Sequence, residues 1–365
     1  MRNDSEGKGN IKNKRLLSCK QPYGRVKSVC FYETETFTTT SMVVFLVAAA
    51  CFGLCFFGAS CTDTKRKEFI YAYQDRVVDA VSIIAVEKVF FRQEGLSLIP
   101  RMFSSGPECM EALISGSAAF GTMGDETAII VGSKKGDSFK IVCALGNGEH
   151  RHRIIVSNNS GITKIADLEG RRIGVKKGTS THGGLVQFEK RHGIDINDEM
   201  VELPPSLQLT ALVAGEIDAI AASEPTPSQA EAGGYGRELA TLGNLNNTYP
   251  VLLVVNSDFA KRNPEIVAGV IRALARAEAY IKDHFDESAM IISHITGLNA
   301  EVTKKAMGYH RYGVILDDET VDGLRATSNF LKEIGNITEL PDFDRVVDRS
   351  YMERSLFKKE KSSIE

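Results

Sequence analysis

The sequence predicts an α/β protein built of two similar lobes with a ligand crevice between them. Three observations carry this expectation. Strand-like apolar runs such as Phe69-Ile70-Tyr71-Ala72-Tyr73 alternate with helical spacing such as Asp79 to Phe91, the order of a parallel sheet with crossover helices. An internal repeat aligns Glu111-Ala112-Leu113-Ile114-Ser115-Gly116-Ser117-Ala118-Ala119-Phe120-Gly121 with Thr210-Ala211-Leu212-Val213-Ala214-Gly215-Glu216-Ile217-Asp218-Ala219-Ile220. Each copy reads as short helix, glycine, strand and polar loop, and such loops at the carboxyl ends of two sheets face one crevice. Third, Ile173 to Leu185 reads as a strand broken at Gly178 and followed by the helix-start hydroxyls Thr179, Ser180 and Thr181. Such a turn presents free N–H groups and the positive end of a helix dipole, which suits an anion or a strong acceptor; the other reading is an ordinary strand-to-helix turn.

Composition narrows the classes. A chain of 365 residues with net charge −3 can bury a sizeable core and gives no reason to expect nucleic acid as a partner. Tryptophan is absent, so no indole platform stacks a base or sugar. Of seven cysteines, five lie in or before one hydrophobic stretch; Cys109 and Cys143 in the body match no zinc spacing and read as two buried thiols or a single disulfide. No metal or cofactor is expected.

Residues 1–41 carry an excess of Lys and Arg, which places them on the cytoplasmic side of the uncharged stretch Met42 to Ser60. Gly58-Ala59-Ser60-Cys61 resembles a bacterial lipoprotein signal, with Cys61 as the lipidated residue; a plain membrane anchor over 42–61 is the alternative. Either way the body is exported.

In the body, lobe 1 is expected from 67–150 and 250–345, lobe 2 from 151–249, and a charged tail over 346–365 that frays after Met352. Leu96 to Ile99 is the second strand and leads to Phe103-Ser104-Ser105-Gly106-Pro107, where Ser104 or Ser105 caps a helix. Ala118 to Met123 is the third strand, and Gly124-Asp125-Glu126-Thr127 opens the next helix. Lys140 to Leu145 is the fourth, and Gly146-Asn147-Gly148 marks the junction to lobe 2. There Lys164 to Glu169 is read as a helix, Ile217 to Ala221 as a strand, and Ser223-Glu224-Pro225 as its polar loop. After the strand Val251 to Val255 the chain is mostly helix, with Asp317 or Asp318 capping one ahead of Val321, Leu324 and Leu331.

The candidate ligand contacts are Gln74, Asp75 and Arg76, then Ser104, Ser105 and Gly106, then Gly124, Asp125 and Glu126 from lobe 1. From lobe 2 come Thr179, Ser180, Thr181, His182 and Glu224. Hydroxyls and helix starts suit an oxyanion, and Arg76 adds a charge-assisted pair. Asp125 and Glu224 repel an anion unless paired, and otherwise accept from an amine or a pyrimidine N–H. His182 is the one histidine expected beside the cleft, with helix capping as its other reading. His150-Arg151-His152 is expected to be a solvated basic turn, since two histidines without a third ligand make no metal site.

Taken in order, Gly106-Pro107, Glu111-Ala112-Leu113, Gly116-Ser117, Phe120-Gly121 and Gly124-Asp125, then Ala166-Asp167-Leu168-Glu169-Gly170, Lys177-Gly178-Thr179 and His182, then Leu203-Pro204-Pro205, Gly215, Asp218-Ala219 and Glu224-Pro225 resemble the solute-binding proteins of bacterial ABC importers. The similar subgroup takes sulfonates, taurine and nitrate and includes binders of thiamine-precursor pyrimidines. Ser223 stands where relatives often carry an aromatic. The resemblance implies the two-lobed type II periplasmic binding protein fold, a monomer in the periplasm or at the cell surface, delivery to permease transmembrane subunits, and no catalysis. The donors and Arg76 on one side and Asp125 and Glu224 on the other are both satisfied by a zwitterion such as taurine, which favours a small sulfonate-type or amino-bearing solute over bare nitrate. A pyrimidine synthase of thiamine biosynthesis on the same fold is the enzyme alternative; its Cys-rich run has no counterpart in the body. A receptor sensory domain is the third reading, with no signalling domain in the chain to support it.

Overall fold

The computed structural model describes residues 68–361 apart from residue 246. Their strands are β1 (Phe69–Gln74), β2 (Leu98–Phe103), β3 (Phe120–Gly124), β4 (Phe139–Asn147), β5 (His152–Ser157), β6 (Ile173–Val175), β7 (Met200–Glu202), β8 (Ala219–Ser223), β9 (Gly236–Thr241), β10 (Val251–Asn256) and β11 (Arg311–Ile315). They form one six-stranded sheet in the order β11-β4-β10-β3-β1-β2 and one five-stranded sheet in the order β7-β6-β8-β5-β9. Written from the other edge, the first order maps onto the second strand for strand: β2 on β7, β1 on β6, β3 on β8, β10 on β5 and β4 on β9. The sequence repeat sits at the same place in both, since β3 and β8 follow the helices Gly106–Ile114 and Pro205–Ala214.

Neither sheet is fully parallel. β1 pairs in parallel with β2 and β3, and β6 with β7 and β8. The strands that carry the chain into each sheet from the other, β5 and β10, are antiparallel to both their neighbours. Strand-helix alternation alone predicts only parallel pairs; the two crossings impose the reversal. They run side by side, with Gly148 N–H donating to Thr248 O at 3.0 Å.

Alternate residues of each strand feed cores on opposite faces, as the pleat requires. Tyr71, Phe120, Leu253 and Val255 enter one core of the first sheet, and Ala72, Met123, Leu252 and Val254 the other. Ile154, Val156, Ile173 and Val175 lie on one side of the second sheet, with Ile155 and Ile220 on the other.

Several local expectations are corrected. The helix over Asp79 to Phe91 is a 3-10 turn Val77–Asp79, a helix Ala80–Glu87 and a short turn Phe90–Gln93, interrupted at Val89 with φ of 53°. The second strand runs Leu98–Phe103 because it pairs residue for residue with β1. Lys164 to Glu169 is only a 3-10 turn over Ile165–Leu168, tied by Asp167 accepting from the N–H groups of Thr163 and Lys164. The tail forms a helix, Ser350–Lys361, with Tyr351 in the first core and Arg354 paired with Glu265 at 2.8 Å. Asp317 is the cap of the helix Asp318–Glu333, accepting from Thr320 N–H at 2.9 Å. Cys109 and Cys143 are buried free thiols. The stretch 42–60 and Cys61 lie outside the described residues, among which no helix is long and apolar enough to cross a membrane.

Candidate functional site

The two sheets point the carboxyl ends of β1, β3, β6 and β8 at each other, and a cavity of about 70 Å³ lies between them. Helix starts face it from both sides: Ser105-Gly106-Pro107 and Gly124 from lobe 1, Thr179-Ser180-Thr181 and Pro205 from lobe 2. Of the predicted contacts, Gln74, Arg76, Ser104, Ser105, Gly106, Gly124, Thr179, Ser180 and Thr181 line the cavity. Asp75 is exposed, and neither it nor Asp125, Glu126, His182 or Glu224 is among the lining residues.

The four inward residues in that second group are occupied by the protein itself. Asp125 accepts from Ser180 Oγ at 2.5 Å across the lobes. Glu126 accepts from Gly183 N–H at 2.8 Å and meets His182 Nδ1 at 3.3 Å, so a carboxylate of lobe 1 sits on the start of the helix Ser180–His192. The anion slot foreseen at that helix start is thus filled from within the chain in the closed molecule. The approach is close enough to require glycine. A Cβ at Gly183 would lie 2.5 Å from Glu126 Oε2, and one at Gly124 2.2 Å from Ser180 Oγ. Glu224, fully buried, pairs with Arg153 at 2.8 Å. Burial pushes all three carboxyls above the ordinary range, against the pull of their hydrogen-bond partners.

The expected capping hydroxyls have other partners. Thr179 Oγ1 donates to Lys176 O at 2.7 Å, Ser180 Oγ to Asp125, and Thr181 Oγ1 meets His152 Nδ1 at 2.7 Å. Ser104 is held by Glu108, which accepts from its N–H at 3.0 Å and its Oγ at 2.7 Å. Ser105 is different: its Oγ is buried without a partner at the edge of the cavity.

Of the basic run read as a solvated turn, His150 is exposed as expected, while Arg151 and His152 form the floor of the site. Arg151 and His152 are 3% and 2% exposed and both line the cavity. Arg151 donates to Ser223 Oγ at 3.1 Å and Tyr249 O at 2.8 Å, while its Nε has no partner. Among the described residues no carboxylate forms an ion pair with Arg151 or Arg76, and no Asp or Glu lines the cavity. Burial lowers Arg151 to about 10, still a cation at neutral pH. His152 is held well below its usual range by burial and by the Arg151 cation, so it is neutral. His152 Nδ1 shares a hydrogen bond with Thr181 Oγ1, and its Nε2 is buried without a partner; in the tautomer where Thr181 donates, Nε2 carries the proton. Sequence reasoning missed both residues, and also Gln208. The available signals were position: 151–152 end the first crossing between lobes, and Gln208 lies in the first turn of the helix Pro205–Ala214, the repeat counterpart of the helix Gly106–Ile114.

Arg76 spans the closed lobes, donating to Ser223 O at 2.9 Å and to Glu224 O and Thr226 Oγ1 at 3.3 Å. Thr127 Oγ1 does the same to Gly178 O at 3.0 Å. Behind the lining, Asp79 fixes Gln74 by accepting from its N–H at 2.8 Å and its Nε2 at 3.2 Å, along with Thr122 Oγ1 at 2.7 Å and Ser82 Oγ at 3.0 Å. Burial nevertheless pushes this carboxyl up to about 6. The folded group therefore holds its proton more tightly than the unfolded one. Its contribution to stability is full below the unfolded value and is lost as pH rises through about 6. Urea unfolding between pH 7 and 4 is expected to show wild type gaining on Asp79→Asn as pH falls, by on the order of 3 kcal/mol. A pH-independent difference between the two would contradict it.

Two α/β lobes joined by paired crossings and closed over a cavity of cations and helix starts have the architecture of the periplasmic binding proteins. The chain belongs to the NMT1/THI5-like family, whose model matches residues 79–288. It is 27% identical over 306 residues to a Bacillus subtilis (strain 168) protein named for binding aliphatic sulfonates, covering 82% of this chain and 91% of that one. A similarly named Escherichia coli (strain K12) protein is 29% identical over 201 residues, which cover 55% of this chain and 62% of that one. Among solved structures, the alkanesulfonate-binding protein SsuA from Xanthomonas axonopodis pv. citri bound to MOPS superposes with a TM-score of 0.71 at 21% identity, over 77% of this chain and 98% of that one. At that identity the likeness speaks to the fold.

Proposed function

We propose that the protein is the extracytoplasmic solute-binding component of an ABC importer and captures a small organic sulfonate. The observation that carries this is the charge of the cavity: Arg76 and Arg151 face it with no carboxylate paired to either among the described residues and none in its lining. Burying a cation without a counter-ion costs several kcal/mol, which a bound anion offsets. Ser105 Oγ, His152 Nε2 and the start of the helix Gly106–Ile114 supply the neutral donors that a tetrahedral sulfonate head accepts from. Relatives named for aliphatic sulfonates support the same class. The amine end of taurine finds no carboxylate in the lining, because Asp125 and Glu224 have partners inside the protein; the reading therefore rests on the anionic head.

In this reading the lobes comprise 67–150 with 250–345 and 151–249, a single chain forms the whole site, and the segment 42–61, through Cys61 or as an anchor, keeps the body near the permease. The pyrimidine-synthase alternative draws no support from the thiols. Cys109 and Cys143 are buried, pushed up by that burial, and absent from the cavity lining.

Calorimetry with ethanesulfonate, taurine, nitrate and a thiamine-precursor pyrimidine tests the assignment. Ethanesulfonate is expected to bind, and Ser105→Ala to weaken it by roughly tenfold to a hundredfold, the worth of one hydrogen bond to a charged group. Unchanged affinity in that variant removes Ser105 from the site. Binding of the pyrimidine with no sulfonate bound would replace this reading with its alternative.

A further inference from the structure

Beside the cavity lies a second, larger hollow, a groove of about 420 Å³. The two share Pro107, Thr127 and Lys176 in their walls. Their chemistry differs. The groove floor is Met110, Ile114, Ile130 and Val131, from the helices Gly106–Ile114 and Asp125–Lys135. Its rim is cationic, with Lys134, Lys135 and Lys177 against the single carboxylate of Glu111. Lys176 is paired with Glu202 at 2.8 Å, but none of the three rim lysines forms an ion pair among the described residues. Their stems extend the apolar wall while their ammonium groups stay wet.

We propose that this groove is the subsite for the apolar chain of an organosulfonate whose head occupies the cavity, an inference that rests on the sulfonate reading above. The cavity, at about 70 Å³, is the smaller of the two spaces and the one that holds the cations for a sulfonate head. A longer chain that extends out of it meets the wall the two spaces share, Pro107, Thr127 and Lys176, and beyond that wall lies the aliphatic surface of the groove. The cationic rim favours an anionic amphiphile over a neutral one. Met110, unbranched and adaptable, lets the floor fit chains of different shape. The groove also crosses the lobe boundary, since Lys176, Lys177 and Gly178 belong to the second sheet's lobe and the rest of the lining to the first. A chain lying there touches both lobes only when they are closed. Chain length is thus converted into preference for the closed state, the differential affinity that closure requires.

The test is calorimetry on the full-length protein in lipid nanodiscs with the series methanesulfonate to hexanesulfonate. Affinity is expected to rise by up to about fourfold for each methylene beyond ethanesulfonate, the transfer value of a buried CH2. Ile130→Gln and Ile114→Gln, neutral changes at partly buried positions outside the cavity lining, are expected to flatten that rise while leaving methanesulfonate within threefold of wild type. Thermal melts confirm that each variant is folded. Equal affinity for ethane- and hexanesulfonate in wild type, or an unchanged slope in both folded variants, overturns the groove and leaves the sulfonate reading standing. Failure of every member of the series to bind overturns both.

Discussion

Arg151→Met is expected to weaken ethanesulfonate binding by roughly thirtyfold to several thousandfold, the effect of removing one partner from a desolvated charge pair. The size follows from the setting of Arg151. It is 3% exposed, its Nε has no partner, and its two hydrogen bonds go to a hydroxyl and a carbonyl, neither of which balances its charge. In the ligand-free protein this cation has no ion pair and only the more distant Asp125 carboxylate opposes its charge, so the ligand supplies the direct counter-charge. The same substitution is therefore expected to have a small effect on the melting temperature of the free protein, because relief from a buried charge offsets the loss of two hydrogen bonds. It should also abolish the upward shift that ethanesulfonate gives the wild type. Calorimetry and paired melts with and without ligand read both quantities. Affinity within threefold of wild type would show that this cation does not meet the solute.

The fold was legible because it is written locally. Period-two strands such as Phe69 to Tyr73 and the helix-glycine-strand repeat at 111–121 and 210–220 report burial that each segment largely achieves by itself. The cavity was legible only from the lobe 1 side and at the start of the helix Ser180–His192, where glycine and hydroxyls mark helix starts. Arg151 and His152 were not legible, since nothing in His150-Arg151-His152 distinguishes a wet turn from a floor. Their burial is made by distant groups: Tyr249 O, Ser223 Oγ and Thr181 Oγ1. The same holds in reverse for Asp125, Glu126 and Glu224. Each stands in a predicted loop at a strand end, and each is claimed by a partner remote in sequence: Ser180, Gly183 and Arg153. Which charges the chain neutralises and which it leaves for a ligand is a property of tertiary structure. Arg151 and Arg153, two residues apart, fall on opposite sides of that division.

Arg153→Met gives the complementary result, a loss of stability of about 3–5 kcal/mol with the ligand chemistry left in place, because removing one member of a buried ionic cluster strands the others. Among the described residues Arg153 is the largest fully buried side chain, and it meets three carboxylates: Glu224 at 2.8 Å, Glu231 at 2.7 Å and Glu238 at 2.5 Å. Glu231 and Glu238 reach solvent and can rehydrate; Glu224, with no exposed surface, cannot. A domain of ordinary stability, about 5–15 kcal/mol, survives such a loss narrowly, so the variant is studied by urea unfolding at low temperature. Burial already holds the Glu224 carboxyl above the ordinary range while Arg153 pulls it down, and without Arg153 it rises further. A raised folded-state value means that the deficit is smallest below the unfolded carboxyl range. It grows as pH increases through the folded value, so the gap to wild type should be narrower at pH 5 than at pH 8. Adding Glu224→Gln to Arg153→Met replaces the stranded carboxylate with a neutral amide that still accepts from Ser228 N–H, and is expected to recover part of the loss at pH 8. Wild-type stability in Arg153→Met, or a double variant less stable than the single one at pH 8, would show that Glu224 does not depend on this arginine.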